Sequence, residues 1–182
     1  MVETGCHTGT VDGRRLVIMR HAAAAPHASN DADRPLTSRG RSTAAEAGEF
    51  LRSIGVVPDH VLVSPARRCT ETWAHLRAAL DPPDGLVEVV DDRIYAASAD
   101  SVLEVLRSVP ETAHTVLLIG HNPSVAYVAS VLADADGPME VLQQLLNGML
   151  PGALAVYETS AAWAGLDMLG AKPTHFHDGS AS

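Results

Sequence analysis

The feature that most constrains the fold is a run of apolar residues that ends in two polar ones. Leu16 to Met19 are all apolar, and Arg20 and His21 follow them directly. A continuous apolar run is typical of a strand buried on both faces, as in parallel or mixed sheets that helices cover. Ligands bind at the carboxyl ends of strands in such sheets, so Arg20 and His21 stand where a site is expected.

Strand and helix patterns alternate along the rest of the chain. Apolar runs predict further strands at residues 61–63, 86–90, 115–120, 153–157 and 165–169. Apolar residues at helical spacing predict helices at about 38–55, 65–80, 99–109 and 123–132. We interpret Ser64 and Asn122, each followed by proline, as N-caps of two of these helices. The alternation predicts one three-layer α/β/α domain with a mostly parallel central sheet.

Length and composition fit a single domain. With 182 residues, 46% of them hydrophobic, the chain can bury a core of ordinary size. Residues 1–13 are rich in Gly and Thr and lack periodicity, so we expect a flexible N-terminal arm there and the domain at residues 14–182. The 22 acidic and 13 basic residues give a formal net charge of -9, which argues against nucleic acid as a partner.

Cysteine usage and the N-terminal sequence bear on location. The two cysteines, Cys6 and Cys69, do not form a disulfide framework, so we expect a reducing compartment, the cytoplasm. The N-terminus has neither a basic start followed by an apolar core nor a span of membrane length. The sequence therefore predicts neither secretion nor membrane insertion.

Three predicted strand ends carry basic side chains. Arg20 and His21 follow the first strand, Arg68 lies just beyond the second, and His121 follows the strand at 115–120. If these strands are parallel, two arginines and two histidines meet at one edge of the sheet. Guanidinium groups match pairs of phosphoryl oxygens, and histidine can attack phosphorus or carry a proton near neutral pH. The combination predicts a phosphate site.

Four ordered motifs resemble those of the histidine phosphatase superfamily, which includes the phosphoglycerate mutases. The motifs are Leu16–His21, Arg34–Thr37 with Gly40, Ser64–Arg68 with Thr72, and Gly120–Pro123. The likeness extends from about Arg15 to Ala155. More narrowly, the chain resembles the SixA-type phosphohistidine phosphatases.

The resemblance implies a role for each residue at the strand ends. His21 would be the nucleophile that becomes phosphorylated, and His121 would be the second catalytic residue of the pocket. Arg20 and Arg68 would hold the phosphoryl oxygens, since the family's spacing after Ser-Pro selects Arg68 over its neighbour. We expect no metal and no other cofactor, because the arginines take the role that a magnesium ion has in other phosphoryl transfers.

Two positions depart from the superfamily pattern. Tyr95 lies where the superfamily usually has a catalytic glutamate, so the usual general acid is missing. A protonated imidazole can leave phosphorus without such an acid, so this loss fits a phosphohistidine substrate. Glu71 replaces a common glutamine, and its carboxylate could be a structural partner or could weaken anion binding. Asp31, with Asp33 and Asp92, is an alternative proton donor.

The sequence favours a phosphatase that removes phosphate from phosphohistidine in a protein. A phosphatase for small metabolites or a broad range of phosphomonoesters is the enzymatic alternative, and the partner is then a small phosphorylated substrate. A mutase fits less well because the acid is missing. A phosphate-binding module without turnover is the alternative outside catalysis. His175 and His177 alone are weak evidence for a metal site, since no carboxylate or cysteine accompanies them.

Overall fold

A computed structural model describes residues 13–180 of the chain. Its strands are β1 (Arg14–Arg20), β2 (His60–Val63), β3 (Val87–Val90), β4 (Thr115–Gly120), β5 (Leu154–Thr159) and β6 (Lys172–His177). Its helices are α1 (Ser38–Ser53), α2 (Arg67–Leu80), α3 (Ala99–Arg107), α4 (Ser124–Leu132) and α5 (Met139–Leu146), with short 3-10 helices at Asp92–Ile94 and Trp163–Gly165. The arm predicted at residues 1–13 lies, apart from Gly13, outside the described residues.

One mixed sheet joins the six strands, in the order β3-β2-β4-β1-β5-β6. Strand β4 runs parallel to both β1 and β2, and β2 runs parallel to β3. The last two strands complete the sheet in antiparallel pairings, β5 with β1 and β6 with β5. The carboxyl ends of the four parallel strands therefore lie at one edge, as predicted.

Helices cover both faces of this sheet. The side chains of β1 alternate between the two faces, and each set packs against a different group of helices. Leu16 and Ile18 belong to the core cluster formed with α3, α4 and α5. Val17 and Met19 belong to the cluster formed with α1 and α2. All four side chains are fully buried, which confirms the predicted three-layer architecture and the buried first strand.

The last edge strand differs from the prediction. Residues 165–169 were predicted to form it, but a short 3-10 helix occupies Trp163–Gly165 and the edge strand is β6. Pro173 and the polar residues of β6 disguise it in the sequence, although edge strands accept proline. Its pairing with β5, which the local sequence pattern does not show, decides where the strand forms.

The helices also bear on membrane insertion. Across residues 13–180, no helix combines the length and the apolar character that a bilayer crossing requires.

Candidate active site

The sheet brings the two predicted catalytic histidines together. In the pairing of β1 with β4, Arg20 lies opposite Gly120, so His21 and His121 follow adjacent strands at the same level. Their ring centroids are 5.2 Å apart. A cavity of about 350 Å³ opens at this edge, and its walls include Arg20, His21, Arg68 and His121. The structure thus gathers all four residues that the sequence singled out.

His21 is held with one ring nitrogen oriented by the backbone. Its Nδ1 lies 2.8 Å from the carbonyl oxygen of Ala22, which can only accept, so Nδ1 carries the hydrogen and Nε2 keeps its lone pair. The amide of Ala22 in turn donates to the Thr72 hydroxyl at 3.0 Å, which ties this turn to α2. The strand end and the helix together fix the tautomer of His21.

Burial makes His21 a neutral imidazole at physiological pH. Loss of hydration lowers its pKa from 6.5 to about 4, against the effect of the Ala22 carbonyl, and the nearby guanidinium groups lower the pKa further. The uncharged ring has a free lone pair on Nε2. That is the state in which histidine can attack phosphorus.

Both ring nitrogens of His121 have side-chain partners, and Cys69 Sγ lies 3.6 Å from its Nε2 as well. Arg68 Nη2 lies 3.3 Å from its Nδ1 and can only donate, so Nδ1 accepts and Nε2–H donates to Ser64 Oγ at 2.8 Å. Burial is the main cause that lowers the pKa of His121 to about 4, with repulsion from His21 and Arg68 in addition. This ring is therefore also neutral in the free protein.

The two predicted N-caps are wrong, and both side chains serve the site instead. Helix α2 begins at Arg67 with no side-chain cap, because Ser64 is bonded to His121. Helix α4 begins at Ser124, and Asn122 donates to the carbonyl oxygen of Met149 at 3.0 Å. A short polar side chain before proline fits a cap, but here the contact with a neighbouring strand end or loop prevails.

Of the two predicted phosphate-binding arginines, Arg20 is half-buried and Arg68 is buried, and each has an unused donor. Arg20 Nη1 donates to the carbonyl oxygen of Met149 at 2.8 Å, while its buried Nε has no partner in the described part of the chain. Burial lowers the pKa of Arg20 below its usual value. The side chain of Arg68 is 6% exposed, and its Nε is likewise buried and unpartnered. Buried donors without acceptors favour an anion in the cavity.

Asp31 connects the loop after β1 to the site. Its backbone oxygen and Oδ2 accept from the two terminal nitrogens of Arg68, at 2.7 and 3.0 Å. Tyr95 Oη also donates to Oδ2, at 3.0 Å, and Arg34 Nε donates to Oδ1 at 2.9 Å. The bond from Tyr95 is the first cause that lowers the pKa of Asp31, followed by the charge of Arg68. Asp31 is thus an ionised anchor rather than a proton donor.

Glu71 is a structural partner, and it makes no hydrogen bond or ion pair with Arg68. Its Oε2 accepts from the amide of Leu36 at 2.7 Å, and its Oε1 pairs with Arg67 at 2.6 Å. Its pKa is lowered, because the bonds from Leu36 and Arg67 outweigh the opposing effect of burial. Of the two interpretations of Glu71 that the sequence allowed, the geometry supports the structural one.

Arg34, Asn122 and Ser64 were not predicted to belong to the site, and the last two were interpreted only as helix caps. Arg34 and Asn122 line the cavity, and Ser64 holds His121 from behind. Arg34 comes from a loop, where no periodic pattern marks a position as facing a site. Its place in one of the four motifs was the only available signal.

His175 and His177 have other contacts and are not arranged as a pair of metal ligands. The ring of His177 stacks on Phe50 with centroids 5.2 Å apart, and His175 Nδ1 lies 3.0 Å from the Thr174 hydroxyl. Among residues 13–180, no three His, Cys, Asp or Glu side chains are grouped as ligands for a metal ion.

Comparison with known proteins assigns the chain to a family. Residues 16–96 match the model of the histidine phosphatase superfamily, branch 1. Phosphohistidine phosphatase SixA of Escherichia coli is 30% identical over 125 residues, a stretch that covers 68% of this chain and 77% of that protein. The chain belongs to the histidine phosphatase superfamily. Within it, the likeness is to the SixA group, and the protein is a phosphatase.

Solved structures of the superfamily share this fold. The putative phosphohistidine phosphatase SixA of Nakamurella multipartitia matches with a TM-score of 0.74 and 32% identity, covering 91% of this chain and 95% of that one. SixA in complex with tungstate has a TM-score of 0.72 at 24% identity, and the match covers 91% of this chain and 97% of that one.

A further sequence relative is an uncharacterized protein of Mycobacterium tuberculosis. It is 34% identical over 161 residues, a stretch that covers 87% of this chain and 98% of that protein.

Proposed function

We propose that this protein removes the phosphoryl group from phosphohistidine in another protein, through a phosphohistidine formed on His21. The observation that carries the proposal is the neutral His21, oriented by Ala22, in a cavity walled by arginines. The chain's likeness to SixA supports phosphohistidine as the substrate. The walls of the cavity contain no carboxylic acid from residues 13–180, which fits a leaving group that needs no proton donor.

The first step transfers the phosphoryl group to His21. Its Nε2 attacks phosphorus in line, and the bond from phosphorus to the substrate's imidazole nitrogen breaks. That imidazole carries a hydrogen on its other nitrogen, so it leaves as a neutral molecule with the electron pair of the broken bond. Arg20 and Arg68 bind the phosphoryl oxygens through their unused donors as charge builds up, and His121, which accepts from Arg68 Nη2, holds that guanidinium group in place.

The second step releases inorganic phosphate. Water attacks the phosphorus, the bond from phosphorus to Nε2 breaks, and both hydrogens of the water leave with the phosphate. His21 regains its neutral form, with Nδ1–H still directed at the Ala22 carbonyl. The protein residues supply binding, orientation and charge stabilisation, and no step requires a group beyond the substrate and water.

Trapping of the intermediate tests this proposal. The protein is mixed briefly with a protein substrate that carries radiolabelled phosphohistidine, quenched, and digested to locate the label. We expect acid-labile label on His21, release of phosphate on longer incubation, and no label in His21→Ala. The variant should remain folded, because a polar residue at a strand end contributes little to the core. Full turnover by folded His21→Ala would overturn the covalent mechanism.

A substrate panel separates the proposal from its alternatives. Phosphohistidine peptides, phosphoserine peptides and sugar phosphates are compared by kcat/KM under identical conditions. A preference for sugar phosphates would replace the proposal with a small-metabolite phosphatase. Binding of the peptides without any turnover would replace it with a phosphate-binding module.

A cytoplasmic location is part of the same proposal. It rests on the sparse cysteine usage of the sequence and on Cys69, which is free and buried. Cell fractionation with an antibody against the native protein measures it directly.

A further inference from the structure

A second cavity adjoins the catalytic one. It has a volume of about 220 Å³ and shares Ala23 and Pro151 with the wall of the catalytic cavity. Its other walls include Arg39 and Thr43 of α1, and Ser180. We call it the side cavity. Because the two cavities have walls in common, a substrate with its phosphoryl group beside His21 can place a neighbouring group in the side cavity.

Arg39 gives the side cavity an uncommitted positive charge. It is exposed and makes no hydrogen bond or ion pair with any residue of 13–180. Arg41, two positions along the same helix, differs in this respect, since it donates to the carbonyl oxygen of Leu36 and to the Ser38 hydroxyl. None of the described residues therefore competes with another molecule for Arg39.

The start of α1 adds to this positive potential. The first turn of this 16-residue helix contains Arg39 and Arg41 and no acidic residue. A helix N-terminus is itself partly positive, so arginines there are unfavourable unless an anion is nearby. These arginines therefore lower the stability of the protein without a ligand, and a bound anion would offset that loss.

Thr43 and Ser180 complete the polar part of the side cavity. Thr43 lines it and is 2% exposed. The nearby Asp178 is directed at Ser180, since its Oδ1 accepts from the amide and the hydroxyl of that residue. Arg39 is therefore the charged donor that the side cavity offers to an anion.

We propose that the side cavity binds a second anionic group of the substrate, a carboxylate or a phosphate, with Arg39 as its charged partner. In the form that rests on the proposed function, this group is an acidic side chain next to the phosphohistidine in the protein substrate. The formal net charge of -9 repels an acidic substrate on average, so a local positive group is needed to bind one. Arg39 would then determine specificity without taking part in the chemistry.

Matched peptides test the carboxylate form. Two phosphohistidine peptides differ only in having Glu or Gln at positions beside the phosphohistidine, and both are assayed with the unmodified protein and with Arg39→Ala. We expect the unmodified protein to prefer the Glu peptide by about fivefold in KM, with similar kcat, and Arg39→Ala to lose this preference. Arg39→Lys should keep most of it. Arg52→Ala, at the other end of the same helix, is the control and should keep all of it.

Direct binding tests the site independently of turnover. Inorganic phosphate and tripolyphosphate are titrated into each variant by calorimetry. The unmodified protein should bind tripolyphosphate more tightly than phosphate, and Arg39→Ala should reduce this ratio by about fivefold while its affinity for phosphate stays the same. A ratio that is unchanged in Arg39→Ala, together with no preference for the Glu peptide, would overturn the inference.

The two experiments also separate this inference from the proposed function. If the unmodified protein turns over neither peptide, the proposed function fails, and the tripolyphosphate ratio alone decides whether the side cavity binds anions. A reduced ratio without a preference for the Glu peptide assigns the site to a second phosphate instead of a carboxylate. Equal losses for both peptides and for phosphate would place Arg39 in the phosphoryl site and overturn the inference.

Discussion

At the scale of single residues, the active site depends on two imidazoles that burial keeps uncharged. His21 and His121 both lose hydration in the cavity, and the guanidinium groups around them oppose protonation. The Ala22 carbonyl then decides which nitrogen of His21 keeps its lone pair. His21, the proposed nucleophile, is therefore in its reactive form before any substrate arrives.

We expect both rings to titrate near pH 4, because burial lowers the pKa of each from 6.5 to about 4. An NMR titration of histidine side chains measures this, with signals assigned through His21→Ala and His121→Ala. The unfolded chain takes up these protons near pH 6.5, so the folded protein should lose stability as the pH falls from 6.5 to about 4. A titration of either ring near pH 6.5 would contradict the effect of burial.

Tyr95 acts on the site through Asp31. Its hydroxyl donates to the carboxylate oxygen that also pairs with Arg68, and its ring lies edge-on to His121 with centroids 5.7 Å apart. We expect Tyr95→Phe to lower kcat/KM for an aryl phosphate by about threefold to tenfold, because Asp31 keeps its arginine partners and loses one neutral donor.

Tyr127→Phe is the matched control for this change. Tyr127 is 58% exposed, and its hydroxyl makes no hydrogen bond with residues 13–180. Its removal should leave kcat/KM unchanged. A loss above about a hundredfold in Tyr95→Phe would mean that the phenol donates a proton in the reaction.

At the scale of secondary-structure elements, α1 and the loop after β1 fit together through a glycine. A Cβ added at Gly40 would lie 2.0 Å from the backbone oxygen of Ala23, closer than any real contact. That oxygen also accepts from the Thr37 amide at 2.9 Å, at the start of the helix. Gly40 therefore sets how closely α1 approaches the loop that carries Asp31 and Arg34.

We expect Gly40→Ala to lower both stability and activity. The added methyl group must displace backbone, which costs about 1–3 kcal/mol, and the displaced loop misplaces the partners of Arg68. Urea denaturation and kcat/KM measure the two effects. Gly165→Ala is the control, because nothing lies within 4 Å of its added Cβ, and it should change neither quantity.

Elements with a strong local pattern were the ones that the sequence predicted well. Strand β4 begins and ends at the predicted residues, and Cys69, Trp73 and Leu76 form part of the buried face expected of α2. The caps at Ser64 and Asn122 were wrong because a polar side chain has several possible partners. Which of these it meets depends on contacts between distant parts of the chain.

At the scale of the whole molecule, the parallel strands bring residues that are separate in the sequence together in one site. Arg20, His21 and His121 were predictable because each follows an apolar run, and the topology brings such ends together. The side cavity was not predictable in this way. It forms where Gly179 and Ser180 lie beside Arg39 and Thr43 of α1, and no periodic pattern encodes that arrangement.

The carboxylates of the described residues lie outside the catalytic cavity. The walls formed by residues 13–180 contain arginine and histidine but no Asp or Glu. Asp31 lies just outside, with its pKa lowered by Tyr95 and Arg68, and Glu71 is bound to Leu36 and Arg67. No carboxylic acid among the described residues is therefore placed to protonate a leaving group.

We expect the rate of phosphoryl transfer to His21 to depend steeply on the leaving group. Without an acid in the cavity, an aryl oxide must leave as an anion, so aryl phosphates with more acidic phenols should react faster and alkyl phosphates very slowly. Single-turnover phosphorylation across a graded series of aryl phosphates measures the slope. The same series with Asp31→Asn is the control and should give an equal slope. A flat dependence in the unmodified protein would mean that a proton donor reaches the leaving group, and the preference for phosphohistidine would then lose its physical basis.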